Sequence, residues 1–155
     1  MIERIPELRT MKKILVALMV AGLLLTTSLT VYFFHSLAQK LPAAEIQKSL
    51  MKSTAYLLDT GIIFALLMLV PTNIMCINSQ KRNRLLLPYL WFIANAFLYG
   101  LLQEQIFHFR KQTGLWAGEF SLSFLIVLIY TFIALLIYLL NRLIVLWISK
   151  KQISK

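Results

Sequence analysis

Four apolar runs alternate with short polar stretches along this chain. They are Ile14–Phe34, Thr54–Cys76, Leu85–Leu102 and Phe120–Leu140. About twenty consecutive apolar residues suffice for a helix to cross the hydrocarbon core of a bilayer, and each run reaches or approaches that length. The joins are short, so neighbouring helices must run in opposite directions. The pattern predicts an all-α polytopic membrane protein, a single domain of four transmembrane helices in an antiparallel bundle.

The polar stretches supply the punctuation. Met1–Lys13 reads as a short polar arm, with Arg4, Arg9, Lys12 and Lys13 beside Glu3 and Glu7. His35–Ser53 reads as the first loop. Within it Pro42 can open a helix whose Glu45, Lys48 and Lys52 sit at i+3 and i+4 spacing. That segment is either a short helix at the headgroups or a solvated connector. Ile77–Arg84 is a basic turn, and Gln103–Glu119 is the second loop, with a Gly114-Leu115-Trp116 turn. Pro71 near the end of the second run and Pro88 in the first turn of the third are both tolerable in a span. After Leu140 the chain meets Asn141-Arg142, where Arg142 is expected to snorkel to the interface before Leu143–Trp147 continue the helix. Ser36-Leu37-Ala38 resembles a signal-peptidase site, but the preceding run is longer than a signal core, so the first span is expected to stay attached.

Composition sharpens the class. Of 155 residues 59% are hydrophobic and only 14% charged, and the mean hydropathy is +0.76. Soluble domains carry about 25% charged residues. The net charge of +10 sits in clusters flanking apolar runs rather than on one soluble face. It therefore points to anionic headgroups, through Lys81, Arg82, Arg84, Arg142, Lys150 and Lys151, and away from nucleic acid. Eleven Lys and Arg fall on the side of the termini and the central turn, against five on the other. The positive-inside rule then puts both termini in the cytoplasm.

Few residues could carry chemistry. Asp59 and Asn95 are the polar groups well inside apolar runs. Asp59 is expected toward the non-cytoplasmic end, either as a structural partner for Lys52, Ser28 or Thr30, or as a proton- or cation-binding group with Glu104. Asn95 and the hydroxyls Thr26, Thr27, Ser28 and Thr30 are candidate interhelical hydrogen-bonders. Small residues four apart at Ala17/Ala21, Gly61/Ala65 and Ala96/Gly100 permit close helix approach. The single cysteine, Cys76, excludes an internal disulfide and is a candidate for lipidation beside the basic turn. His35 and His108 lack metal-ligand spacing, and no cofactor-binding or catalytic motif is present. No enzymatic activity is expected.

Leu8-Arg9-Thr10 before the first span, and the basic turn leading into Leu86-Leu87-Pro88, resemble small arthropod four-span membrane proteins of uncharacterised function. Those are similar in turn to lysosome-associated four-span and MARVEL-type tetraspan proteins. The resemblance implies a membrane-organising or trafficking adaptor. The chain departs from it in lacking an N-terminal cysteine cluster and a Pro-Pro-x-Tyr motif. Two functional readings follow: a scaffold, adaptor or accessory subunit acting on another membrane protein or on itself, and a small oligomeric transporter or channel using Asp59 and Asn95. An internal inverted repeat, which would favour transport, is not apparent.

Overall fold

The computed structural model describes residues 4–79, 82–115, 118 and 121–153. Among them are four α-helices: α1 Arg4–Leu37, α2 Ala43–Ser79, α3 Leu87–Gln112 and α4 Ser123–Ile153, with a 3-10 turn at Arg82–Leu86 before α3. All four contain stretches long and apolar enough to cross a membrane, namely Leu8–Leu37, Ala43–Ile77, Arg84–Gln112 and Ser123–Lys151. The protein is a multi-pass, all-α membrane protein.

The helices outrun the apolar segments. With 37 residues, α2 is about 55 Å long at 1.5 Å per residue, well beyond a hydrocarbon core of about 30 Å. The expected polar arm is the start of α1 from Arg4, and the segment opened by Pro42 is the first turns of α2 rather than a separate interfacial helix. Gln103, Glu104, His108, Arg110 and Lys111, read as loop, belong to α3. Once nucleated, a helix extends at little cost until something stops it. At Thr113 something does: its amide and hydroxyl both bond the Phe109 carbonyl, at 3.0 and 2.8 Å, and Gly114 follows at φ 71°. That left-handed position is one glycine takes without strain. Pro71 leaves α2 continuous, and the adjacent Thr72 hydroxyl donates to the Met68 and Leu69 carbonyls at 2.8 and 3.1 Å.

Packing is uneven around the bundle. Phe33, Ile46, Leu50, Leu57, Leu102 and Ile106 form one core among α1, α2 and α3. Leu15, Met68 and Met75 form a second, against Leu87 and Trp91. The α4 helix joins neither. It packs on α3 and meets α2 mainly near its own C-terminal half, where Val145 packs against Cys76 of α2 and Leu85 of the 3-10 turn. Its outward apolar residues are bare, with Leu128 and Trp147 each 66% exposed. Bare aliphatic surface of this extent is stable only against lipid or another protein.

Candidate functional site

Opposed contacts fix the depth of each polar group. At the end of the molecule holding the α1–α2 loop, the Tyr32 and Ser36 hydroxyls meet Ser49 at 3.1 and 2.9 Å. Gln103 Nε2 donates to Thr54 Oγ1 at 3.0 Å, somewhat over a turn deeper along α2. Glu104 accepts from Ser121 there and lies 3.6 Å from His108 Nε2, joining α3 to the approach to α4. At the opposite end Arg84 reaches Met75 Sδ at 3.9 Å. Polar contacts thus gather toward the two ends of the bundle.

Between these layers, polar groups tie helices together. Thr26 Oγ1 donates to Asn95 Oδ1 at 3.2 Å, and Asn95 Nδ2 donates to the Trp91 carbonyl at 3.0 Å. Asn95 is buried where α1, α2 and α3 converge, and a Cβ on Gly61 would stand 2.8 Å from the Asn95 Cβ. Small residues admit this contact because it needs backbone within side-chain reach. Thr27, Ser28 and Thr30 do not bridge helices; each bonds its own helix four residues back at 2.8 Å. Of the small pairs, Gly61 abuts Asn95 and Gly100 abuts Val127 of α4, while Ala17 and Ala21 are exposed.

A second tie was not expected from the sequence. Asn73 on α2 and Asn141 on α4 exchange two amide hydrogen bonds, at 3.2 and 3.0 Å. The buried Tyr89 hydroxyl lies beside Asn141 without a hydrogen bond of normal geometry. Tyr89 also stacks edge-on against Tyr138, ring centroids 5.3 Å apart. The signal was faint: Asn73 and Asn141 sit at the ends of apolar runs, where a polar residue reads as a boundary. Gly22 was missed too, and a Cβ there would press within 2.7 Å of the Trp91 ring.

Asp59 departs most from expectation. It lies seven residues past Lys52, about 10 Å along the helix axis. It is only two residues from Gly61, hence near the depth of Asn95. It is exposed on the surface of the bundle, and among the described residues it makes no side-chain hydrogen bond or ion pair. Neither Lys52 nor Ser28 nor Thr30 serves it, because Asp59 projects from the face of α2 turned away from the α1 interface. Lys52 instead places its ammonium over the Tyr56 ring, 5.7 Å from the centroid. A carboxylate facing lipid at the bilayer centre costs about 2.5–3.5 kcal/mol. Asp59 and Asn95 thus share a depth but not a cavity, and Glu104 is some ten residues of helix away, bonded to Ser121.

The remaining candidates fall into place simply. Cys76 is 3% exposed, packed with Leu85 and Val145, so an acyl chain could reach its sulfur only if α4 moved away; this burial argues against lipidation. Arg142, Lys150 and Lys151 are exposed at one end of α4, Lys151 lying 5.3 Å from the Trp147 ring centroid, and Arg84 is half-buried. Lys81 and the Arg82 side chain lie outside the described residues. No group of three His, Cys, Asp or Glu that could hold a metal occurs among the described residues. An apolar cleft of about 150 Å³ opens between α2, α3 and α4, lined by Ala65, Leu66, Tyr89, Phe92, Ala134 and their neighbours. Compared with known families, with curated proteins and with solved structures, the chain matches none.

Proposed function

We propose that this protein is a non-enzymatic membrane scaffold, adaptor or accessory subunit that works through contacts of its helices with lipid and with membrane proteins. One observation carries the reading: where the polar groups of the spans point. Thr26–Asn95, Gln103–Thr54 and Asn73–Asn141 each join two helices, and the deepest carboxylate, Asp59, faces outward. A permeation path needs its polar groups around one water-accessible cavity. Here Asn95 is enclosed between helices, and the cleft between α2, α3 and α4 is lined by aliphatic and aromatic side chains. The geometry therefore favours the contact reading over transport.

The exposed cations of the α4 terminus, with Arg84, suit the anionic headgroups of a cytoplasmic leaflet, in keeping with cytoplasmic termini. The test is purification in mild detergent with mass spectrometry, alongside ion-flux measurement in liposomes. A stoichiometric assembly without flux supports the reading. Flux abolished by Asp59→Asn at unchanged expression would overturn it.

A further inference from the structure

Between the Asn73–Asn141 tie and the middle of the spans, α2 and α4 part, while α3 packs against both. The cleft of about 150 Å³ between them has a floor and a mouth. Pro88, Tyr89 and Ala134 are buried on the floor, whereas Ile62, Leu66 and Ile137 stand exposed along the mouth. The lining is apolar throughout, since the Tyr89 hydroxyl is buried beside Asn141. The asparagine tie lies one turn past Leu69 on α2 and one turn past Ile137 on α4, and so closes one end. Arg142 follows Asn141 and is exposed, and Arg84 reaches Met75 two residues past Asn73, so this end stands where tails give way to headgroups. From Asn73 back to Ile62 is eleven residues, about 16 Å along the helix axis, and the hydrocarbon of one leaflet is about 15 Å deep. The cleft thus occupies the depth of one leaflet's tails, on the side of Arg84.

We infer that one acyl tail of a phospholipid in that leaflet occupies this cleft. It enters sideways between Leu66 and Ile137 and lies against Ala134 and the Tyr89 ring, with its headgroup left at the level of Arg142. The inference rests on the contact reading of function and specifies the lipid contact. A cavity of about this volume and lining stays dry and takes an apolar guest of the bulk of benzene. That is room for a segment of a tail and not for a whole lipid. A partner's helix, about 10 Å across with its side chains, is too wide to enter and could only bridge the mouth. A single chain is narrow and flexible, surrounds the molecule at this depth, and asks for no polar partner. Small residues make the room: Ala65 and Ala134 line the cleft where larger side chains would fill it.

The full-length protein in phosphatidylcholine liposomes, doped with a phosphatidylcholine carrying a mid-chain diazirine, tests this, with mass spectrometry mapping the photolabel. Bulk lipid labels residues according to their exposure, so Leu24 of α1 and Leu128 of α4, 64% and 66% exposed, set the reference. Tyr89 and Ala134, though buried, are expected to carry at least as much label as Leu128. Ala134→Phe fills the floor and is expected to cut labelling in the cleft by about fivefold or more, with Leu24 unchanged. Because a phenylalanine there can disturb α4, Leu66→Trp narrows the mouth from an exposed position and is expected to lower the same label at unchanged expression. Floor labelling no greater than exposure dictates, or label that persists there in both variants, would overturn the inference. Displacement of the floor label by excess unlabelled sterol would overturn it too, assigning the cleft to a rigid ring system. A protected floor, with Leu66→Cys copies joining on oxidation in a Cys76→Ala background, would assign the mouth to a second copy; that outcome overturns the inference and leaves the contact reading standing. Ion flux abolished by Asp59→Asn would remove the contact reading without changing the floor label, so the two failures are told apart.

Discussion

Replacing Asn73 and Asn141 by alanine, singly and together, probes the polar tie between α2 and α4 found among the described residues. The pair exchanges two hydrogen bonds, at 3.2 and 3.0 Å, one turn from the Cys76–Val145 contact, where these otherwise sparsely packed helices meet. Interhelical hydrogen bonds in membranes couple by about 0.6 kcal/mol on average and at most about 1.7. Two of them predict a coupling of about 1.2 kcal/mol in the double-mutant cycle. Each single variant strands an amide, and about 1–2 kcal/mol of destabilisation is expected. The Tyr89 hydroxyl modifies this, being buried beside Asn141 without a partner of its own. It can rotate to an amide that has lost its neighbour and recover part of the loss. Tyr89→Phe removes the orphan hydroxyl, so alone it should be neutral or stabilising. In that background the single asparagine variants should cost more than in the parent. Reversible unfolding in mixed micelles of dodecylmaltoside and SDS, followed by tryptophan fluorescence, reads these differences. A coupling below about 0.3 kcal/mol would show that the two amides do not act as a pair.

The remaining expectations are narrower. Gly100→Ala drives a methyl into Val127 Cγ2, so a loss of about 1–3 kcal/mol is expected, with Val127→Ala restoring most of it; no rescue would mean α3 and α4 do not pack through this contact. Asp59→Leu removes no intramolecular bond and takes a charge out of the hydrocarbon, so micellar unfolding of the monomer should be no easier than in the parent. A loss above about 1 kcal/mol, the scale of a hydrogen bond, would reveal an internal partner. Cys76 should react with a small maleimide only after SDS unfolding, given its 3% exposure, and fast labelling of the native protein would contradict its packing against Val145. On a Cys76→Ser background, cysteines at Ser79 and Thr113 should label from opposite sides of the membrane, with Ser79 cytoplasmic. Same-side labelling would break the four-span topology.

Class and topology were legible in the chain because the bilayer imposes them one segment at a time. A run such as Thr54–Cys76 must be helical, since lipid offers its backbone no other hydrogen-bond partner. The short turn before Pro88 forces α2 and α3 antiparallel whatever packs between them. Asn95 could be flagged as an interhelical bonder for the same local reason: an amide deep in a span needs a partner. Which partner it takes was decided by packing. Thr26 meets it while Thr27, Ser28 and Thr30 turn back on their own helix: Thr27 and Ser28 lie on the exposed side of α1, and Thr30, on the side of Thr26, stands a full turn away along the axis.

The helix ends were misplaced because hydropathy marks where lipid ends, whereas a helix ends where its hydrogen bonds are capped, as at Thr113 and Gly114. The Asn73–Asn141 pair joins residues sixty-eight apart in the chain, and no local pattern couples them. Asp59 shows the same division most clearly. Its residue type and position established that a carboxylate lies in a span. Only the rotation of α2, set by the cores against α1 and α3, decided that it faces outward, away from the hydroxyls of α1.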